Sequence, residues 1–194
     1  MKEENLRARI KEAAVEHFDR NGFHGTTIRS IAGDVGCSLP MIYYYYRNKQ
    51  ELFDEIVRKD YFQMLGRQDL RVESGDVIGG YTRLIHSLNS LSSHDRHLYR
   101  LGIKVYLSLE GEEEHVRDME AYEEALSVHH AAFIRPYLEE SADCETIART
   151  LMHLLDTLII EIVVKGKTLP EELIRAEISL LLQAHQKRTA APAG

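Results

Sequence analysis

Ten histidines and two cysteines are the residues of this 194-residue chain best suited to ligate a metal or attack a substrate. Their spacing builds neither site. Cys37 and Cys144 are far apart and form no paired motif, which points to a reducing compartment and away from a disulfide framework or zinc site. His94 and His97 stand three apart around Asp95 and can be drawn as a metal pair, but solvated or packed histidines are the ordinary case. His129 and His130 are adjacent, so they point to different faces of a helix. No nucleophile elbow, phosphate loop or metal-ligand motif is present, so the chain reads as no enzyme, with neither cofactor nor metal. The other concentration of reactive side chains is Thr26–Leu52, TTIRSIAGDVGCSLPMIYYYYRNKQEL, where Arg29, Arg47 and Lys49 surround a run of four tyrosines.

The elements that position these groups are two short helices. Thr27 can cap the first, whose Ile28, Ile31, Ala32 and Val35 share one face. Gly36 supplies the left-handed turn. Ser38 offers a second cap, and Pro40 lies in the first turn of the next helix, where its missing N–H has no partner to lose. Two short helices around a glycine turn read as a helix-turn-helix, the second being the recognition helix.

Thr26-Thr27, Ile31-Ala32, Gly36, Ser38, Tyr43, Tyr45, Lys49 and Glu51-Leu52, with Gly22-Phe23 before them, give the first quarter of the chain a resemblance to the TetR family of bacterial transcriptional regulators. Two departures stand out. Many members have Gly where this chain has Pro40, and Tyr46 replaces a usual Phe, adding a hydroxyl expected to reach the surface. The resemblance implies that Ser38, Leu39, Pro40, Met41, Tyr43 and Tyr44 face the major groove, and that Arg29 can reach a base edge. It implies phosphate contacts for Thr27, Tyr44, Tyr45, Arg47 and Lys49. Tyr43 and Tyr46 are assigned mainly to packing or groove walls.

The rest of the chain is read as all-α, about nine helices, with no alternating strand pattern. Residues 1–47 are expected to form the DNA-binding domain, 48–188 a larger helical domain, and 189–194 a disordered tail. The first helix runs from about Asn5 to Asn21 with Leu6, Ile10, Ala13, Ala14, His17 and Phe18 on one stripe, and Gly22 stops it. Asn48 caps a helix of four or more turns, with Glu51 as its partner in a variant capping box. Gly66–Gly75 breaks that helix, Gly102 interrupts a later one that Gly111 ends, and Pro136 closes the long helix before it.

The resemblance further implies a small-molecule cavity in the body, with Tyr61, Met64, Tyr81, Ile85, Leu88, Leu101, Val105, Tyr122, Leu126, His129 and Phe133 as candidate lining residues. Core packing is the competing reading for each, because pockets and cores share residue types. The last two helices carry apolar stripes wider than one buried face needs. A deep core and a surface covered by a second subunit both explain that width. The second is favoured, with Leu151, Leu155, Leu158, Ile162, Ile174, Ile178 and Leu181 at the dimer interface.

Net charge is −7 overall but +2 over residues 1–50 and −9 over the rest, a mildly basic head on an acidic body. There is no apolar run near 20 residues, hence no membrane partner, and the charged N-terminus is no signal peptide, which makes the cytoplasm the default. The function expected is a homodimeric repressor that binds double-stranded operator DNA and is released by an unidentified small-molecule effector. The alternatives are a DNA-bound regulator controlled by a protein partner, and an all-helical ligand-binding protein or enzyme.

Overall fold

The computed structural model describes residues 2–67, 76–107 and 113–185, and among these it contains nine helices and no strand. They are α1 (Lys2–Gly25), α2 (Ile28–Val35), α3 (Leu39–Tyr45), α4 (49–67), α5 (Val77–Ser87), α6 (Ser93–Tyr106), α7 (Glu113–Ile134), α8 (144–164) and α9 (Glu171–Leu182). The end of the segment expected to break the fourth helix, the turn at Gly111 and the tail 189–194 lie outside the described residues. No helix among the described residues is long and apolar enough to cross a membrane.

The chain divides into two compact units, residues 1–68 with 91–120, and 69–90 with 121–194. The expected boundary at 47/48 therefore falls inside the first unit. The physical reason is that α1 and α4 share one core. Ile10, Ala14, Val15 and Phe18 of α1 are buried, and the Phe18 ring meets Phe53 of α4 edge-on at 5.0 Å. Helix α1 breaks at Gly22 (φ 72°, ψ 171°), as expected, although helical bonding resumes to Gly25.

Helix α4 buries Leu52, Phe53, Ile56, Val57, Tyr61 and Met64. Its middle, Ile56–Asp60, is a π-helical turn, and α8 ends in another at Ile160–Val164. Such turns insert one residue, which lengthens the buried spacing from Ile56 to Tyr61 to five. Asn48 Oδ1 accepts from the Glu51 amide at 2.8 Å, while Glu51 Oε2 accepts from the Arg47 amide at 2.6 Å, one residue before the capping-box partner. Helix α6 runs through Gly102 without interruption. A Cβ there would lie 2.1 Å from the Tyr61 ring, so the glycine is needed for the close approach of α4 to α6.

In the second unit, Val77, Ile78, Tyr81 and Ile85 of α5 are buried in the layer that α8 and α9 close. These two helices turn most of their apolar width inward. Leu151, Ile162, Ile174 and Ile178 are fully buried within the protomer, Leu155 and Leu158 nearly so, and Leu181 half-buried. Helix α5 takes up the stripe that had been given to a partner subunit. What stays bare is the remaining apolar width: Leu180 at 81% exposure, Val164 at 45% and Leu173 at 44%.

One buried polar pair stands in this core. The Tyr81 hydroxyl and His130 Nδ1 are 2.7 Å apart, and both residues are almost fully buried. Burial pushes the Tyr81 phenol up, so the hydroxyl keeps its proton, and the His130 tautomer sets which of the two donates. Burial, and then the neighbouring His129, push His130 down to about 4. The unfolded chain binds this proton near the ordinary value of 6.5 and the folded chain does not. Stability from this group is present above 6.5 and falls as pH drops toward 4. Urea midpoints of the wild type should drop over that interval more than those of His130→Gln; parallel pH profiles would contradict the assignment.

Candidate nucleic-acid interface

Helix α2 starts at Thr27, whose Oγ1 accepts from the Ser30 amide at 3.0 Å while Ser30 Oγ accepts from the Thr27 amide at 3.4 Å. This is a capping box with Ser in the reciprocal position. Thr26 is buried, and its hydroxyl donates to the carbonyls of His17 (3.0 Å) and Gly22 (2.8 Å), tying the entry of α2 to the end of α1. Gly36 ends α2 in the left-handed region (φ 71°, ψ 36°), and Cys37 N donates back to Ala32 O at 3.0 Å.

Ser38 occupies the cap position of α3 but makes no side-chain capping bond, contrary to expectation. Pro40 has no N–H to offer, and the Met41 amide donates to the Ser38 carbonyl instead. The Ser38 hydroxyl is left on the exposed side. Helix α3 itself buries only Ile42. Pro40, Met41, Tyr43 and Tyr44 are exposed, Tyr44 most of all at 71%, and Leu39 and Tyr45 are half-buried. Tyr44 and Tyr45 meet edge-to-face at 5.0 Å. Thr27, Arg29 and Arg47 are exposed beside them.

Polar groups of α1 and α4 hold this pair of helices. Arg9 donates to Val35 O at 2.6 Å, at the C-terminal end of α2. His17 Nε2 lies 2.6 Å from Asp34 Oδ2. Tyr46 is the tyrosine that packs: it is 1% exposed, and its hydroxyl, expected at the surface, accepts from Arg7 Nε at 3.3 Å. Burial pushes that phenol up to about 12, so it stays neutral. Arg7 also donates to Glu55 of α4 at 2.6 Å.

Lys49 lies within the motif and is half-buried. Its Nζ donates to the carbonyls of Phe23 (2.5 Å) and Thr26 (2.9 Å) and sits 4.2 Å from the Phe23 ring centroid. Two of its three N–H directions thus close the link between α1 and α2, so it positions the motif.

Sequence reasoning missed Asp19. It is 4% exposed on α1 and faces three side chains of α6, His97, Arg100 and Lys104. Burial pushes its carboxyl up, but hydrogen bonds from Arg100, His97 and Lys104 outweigh that and leave it below the ordinary value. Only an acidic residue beside the apolar stripe of α1 hinted at it. His97, one half of the candidate metal pair, is thereby engaged with a carboxylate. Among the described residues no group of three or more His, Cys, Asp or Glu is placed to hold a metal ion.

The candidate effector-site residues divide between the two units. Tyr61, Met64, Leu101 and Val105 are buried in the first; Tyr81, Ile85 and Leu88 are buried in the second. Tyr122, Leu126 and Phe133 are half-buried in the second unit. His129 is exposed there and His130 turns inward in its place, because consecutive residues of α7 face different sides.

Comparison with known proteins agrees with this geometry. The family profile described as bacterial regulatory proteins, tetR family, matches residues 10–56, from the middle of α1 into α4. An HTH-type transcriptional repressor of Streptomyces coelicolor is 37% identical over 82 residues, which span 42% of this chain and 42% of that protein. A TetR-like transcriptional regulator from Rhodococcus has the same fold, with a TM-score of 0.73, 19% identity, and coverage of 92% of this chain and 94% of that one. A transcriptional regulator from Saccharomonospora viridis, solved with choline, superposes with a TM-score of 0.73 at 18% identity, covering 95% and 100%.

Replacing Lys49 by Met keeps the packed stem and removes two charge-assisted bonds to carbonyls. Unfolding in denaturant should show a loss of about 1–3 kcal/mol. The loss should persist in high salt, since partly buried bonds are weakly screened; a loss that disappears with salt would contradict the positioning role.

Proposed function

This chain belongs to the TetR family of bacterial regulatory proteins, and we propose that it acts as a homodimeric repressor released from its operator by a small molecule. The observation that carries the DNA-binding part is the state of α3. A helix with one buried side chain leaves Pro40, Met41, Tyr43 and Tyr44 bare, next to exposed Thr27, Arg29 and Arg47. Aromatic and apolar groups of that kind suit groove walls and thymine methyls, and the cations suit phosphate and guanine. Arg29 carries most of the hydrogen-bonding discrimination, since Leu39 and Met41 offer only apolar contact. The N-terminal ends of α2 and α4 add favourable dipoles for phosphate.

The dimer uses the faces of α8 and α9 that the protomer leaves bare. Leu173 and Leu180 lie seven residues apart on one side of α9, and Val164 ends α8. Two such pairs of helices from two copies form a four-helix bundle, and a two-fold dimer reads half-sites about 34–36 Å apart or a multiple of that. The effector is a small, largely apolar molecule bound in the helical body; choline in the S. viridis relative supports a body of this fold accepting an organic ligand. It weakens operator binding by preferring a state whose recognition helices are wrongly spaced.

Selection of duplexes from a random pool by the purified protein, followed by titration at several salt concentrations, tests the reading. A two-fold related site should emerge. Arg29→Ala should cost about 1–3 kcal/mol on that site and relax one base position. Equal losses on selected and unrelated duplexes would contradict a base contact. Leu180→Asp should convert dimer to monomer in sedimentation without loss of helicity, because an unpaired carboxylate in an apolar interface is costly. A dimer unchanged by that substitution would exclude this face.

A further inference from the structure

Helix α3 ends at Tyr45 and α4 begins at Lys49, so the link between them is Tyr46, Arg47 and Asn48, and each of the three is tied by a different bond. The Tyr46 amide donates to Ile42 O at 2.9 Å, which closes α3. The Arg47 amide donates to Glu51 Oε2 at 2.6 Å, and Asn48 Oδ1 accepts from the Glu51 amide at 2.8 Å, which opens α4. Tyr46 and Asn48 are both extended (φ −137°, ψ 120° and φ −159°, ψ 177°). Within this link the two large side chains part company. Tyr46 is sunk into the protein at 1% exposure, and Arg47, its neighbour, is exposed.

Arg7 of α1 holds the buried side chain. Its Nε donates to the Tyr46 hydroxyl at 3.3 Å, and its Cζ stands 5.6 Å from the ring centroid. Its Nη2 donates to Glu55 Oε2 of α4 at 2.6 Å, and Lys11 Nζ lies 3.3 Å from the other oxygen of that carboxylate. A planar guanidinium fixes two directions at once, so Arg7 ties the link and α4 to α1 together. A phenyl ring in place of Tyr46 would fill the same volume and offer Arg7 no acceptor. Apolar packing alone holds the ring in its slot without direction, and the hydrogen bond supplies the direction. The consequence falls on Arg47. A long flexible cation loses rotamer freedom when it is fixed on a ligand, and a root that is already fixed leaves less to lose.

We propose that Tyr46 is a positioning residue for duplex binding: its hydroxyl, bonded to Arg7, fixes the root of Arg47, which meets the phosphate backbone, and the hydroxyl itself touches no DNA. This role rests on the reading of the chain as a DNA-binding regulator with Arg47 on phosphate. It requires no particular arrangement of the two units or of two protomers, because Arg7, Lys11, Tyr46, Arg47, Glu51 and Glu55 all lie within residues 1–68 of the first unit.

The experiment is a double-mutant cycle on the full chain: wild type, Tyr46→Phe, Arg47→Ala and the two combined. Each is titrated with the duplex selected by the wild type at several salt concentrations, with circular dichroism showing that all four are folded at the assay temperature. Arg47→Ala should weaken binding and flatten the salt dependence, as loss of a phosphate contact does. Tyr46→Phe alone should lose affinity on the order of 5-fold. Added to Arg47→Ala, it should cost no more than about 2-fold, because the residue it positions is already gone. The same 5-fold loss in both backgrounds would mean that the hydroxyl acts on something other than Arg47, and unchanged affinity of Tyr46→Phe would remove it from positioning; either outcome overturns the inference. If Arg47→Ala changes neither affinity nor salt dependence, the phosphate role of Arg47 fails while the regulator reading stands, and the inference falls with that role. If the wild type selects no duplex at all, the regulator reading itself fails.

Discussion

A recognition helix of seven residues that buries one side chain cannot hold itself in place. An isolated helix of that length is unstable in water, because nucleation costs more than a turn or two of hydrogen bonds returns. The constraint is sharper here because the outer face of α3 must stay bare to meet a ligand. Its order is therefore borrowed. Arg9 occupies a free carbonyl at the end of α2, Lys49 occupies two carbonyls between α1 and α2, and Tyr46 anchors the exit of α3 against Arg7. Each is a charge-assisted bond from a cationic side chain, stronger than a bond between neutral groups.

The same economy of anchors runs deeper into the first unit. Helix α4 is clamped to α1 by Arg7 and Lys11 against Glu55 and Asp60, and to α7 by Arg58 against Glu114 and Asp118. Its π turn lies among these ion pairs, and beyond it the Tyr61 ring packs against Gly102 of α6. Apolar burial supplies cohesion without direction. The directional information comes from a few carboxylates facing several cations, and Asp19 is the most buried of them.

In the second unit the apolar stripes of α8 and α9 are broad enough to serve two purposes at once. Their inner residues close on α5, and the outer ones, Leu173, Leu180 and Val164, remain in water. Hydrophobic periodicity records that a residue is to be covered, not by which chain. Leu158, which the pattern equally suits to an interface, is 3% exposed within its own protomer.

The sequence by itself determined the helical class, the order of the helices, and the helix-turn-helix with its cap at Thr27 and its turn at Gly36. These follow from local rules: period, capping and left-handed glycine geometry act within a few residues. The π turns escaped, because an inserted residue leaves the pattern intact on both sides. What only the tertiary structure decided are the contacts spanning long stretches of chain: Asp19 with α6, Arg9 with Val35, Lys49 with Phe23 and Thr26, and Tyr81 with His130. A charged or aromatic residue carries no mark of its distant partner. Lys49 is the plainest case. As a letter beside a tyrosine run it looks like a phosphate ligand, and only the approach of two carbonyls from 23 and 26 residues away makes it a strut.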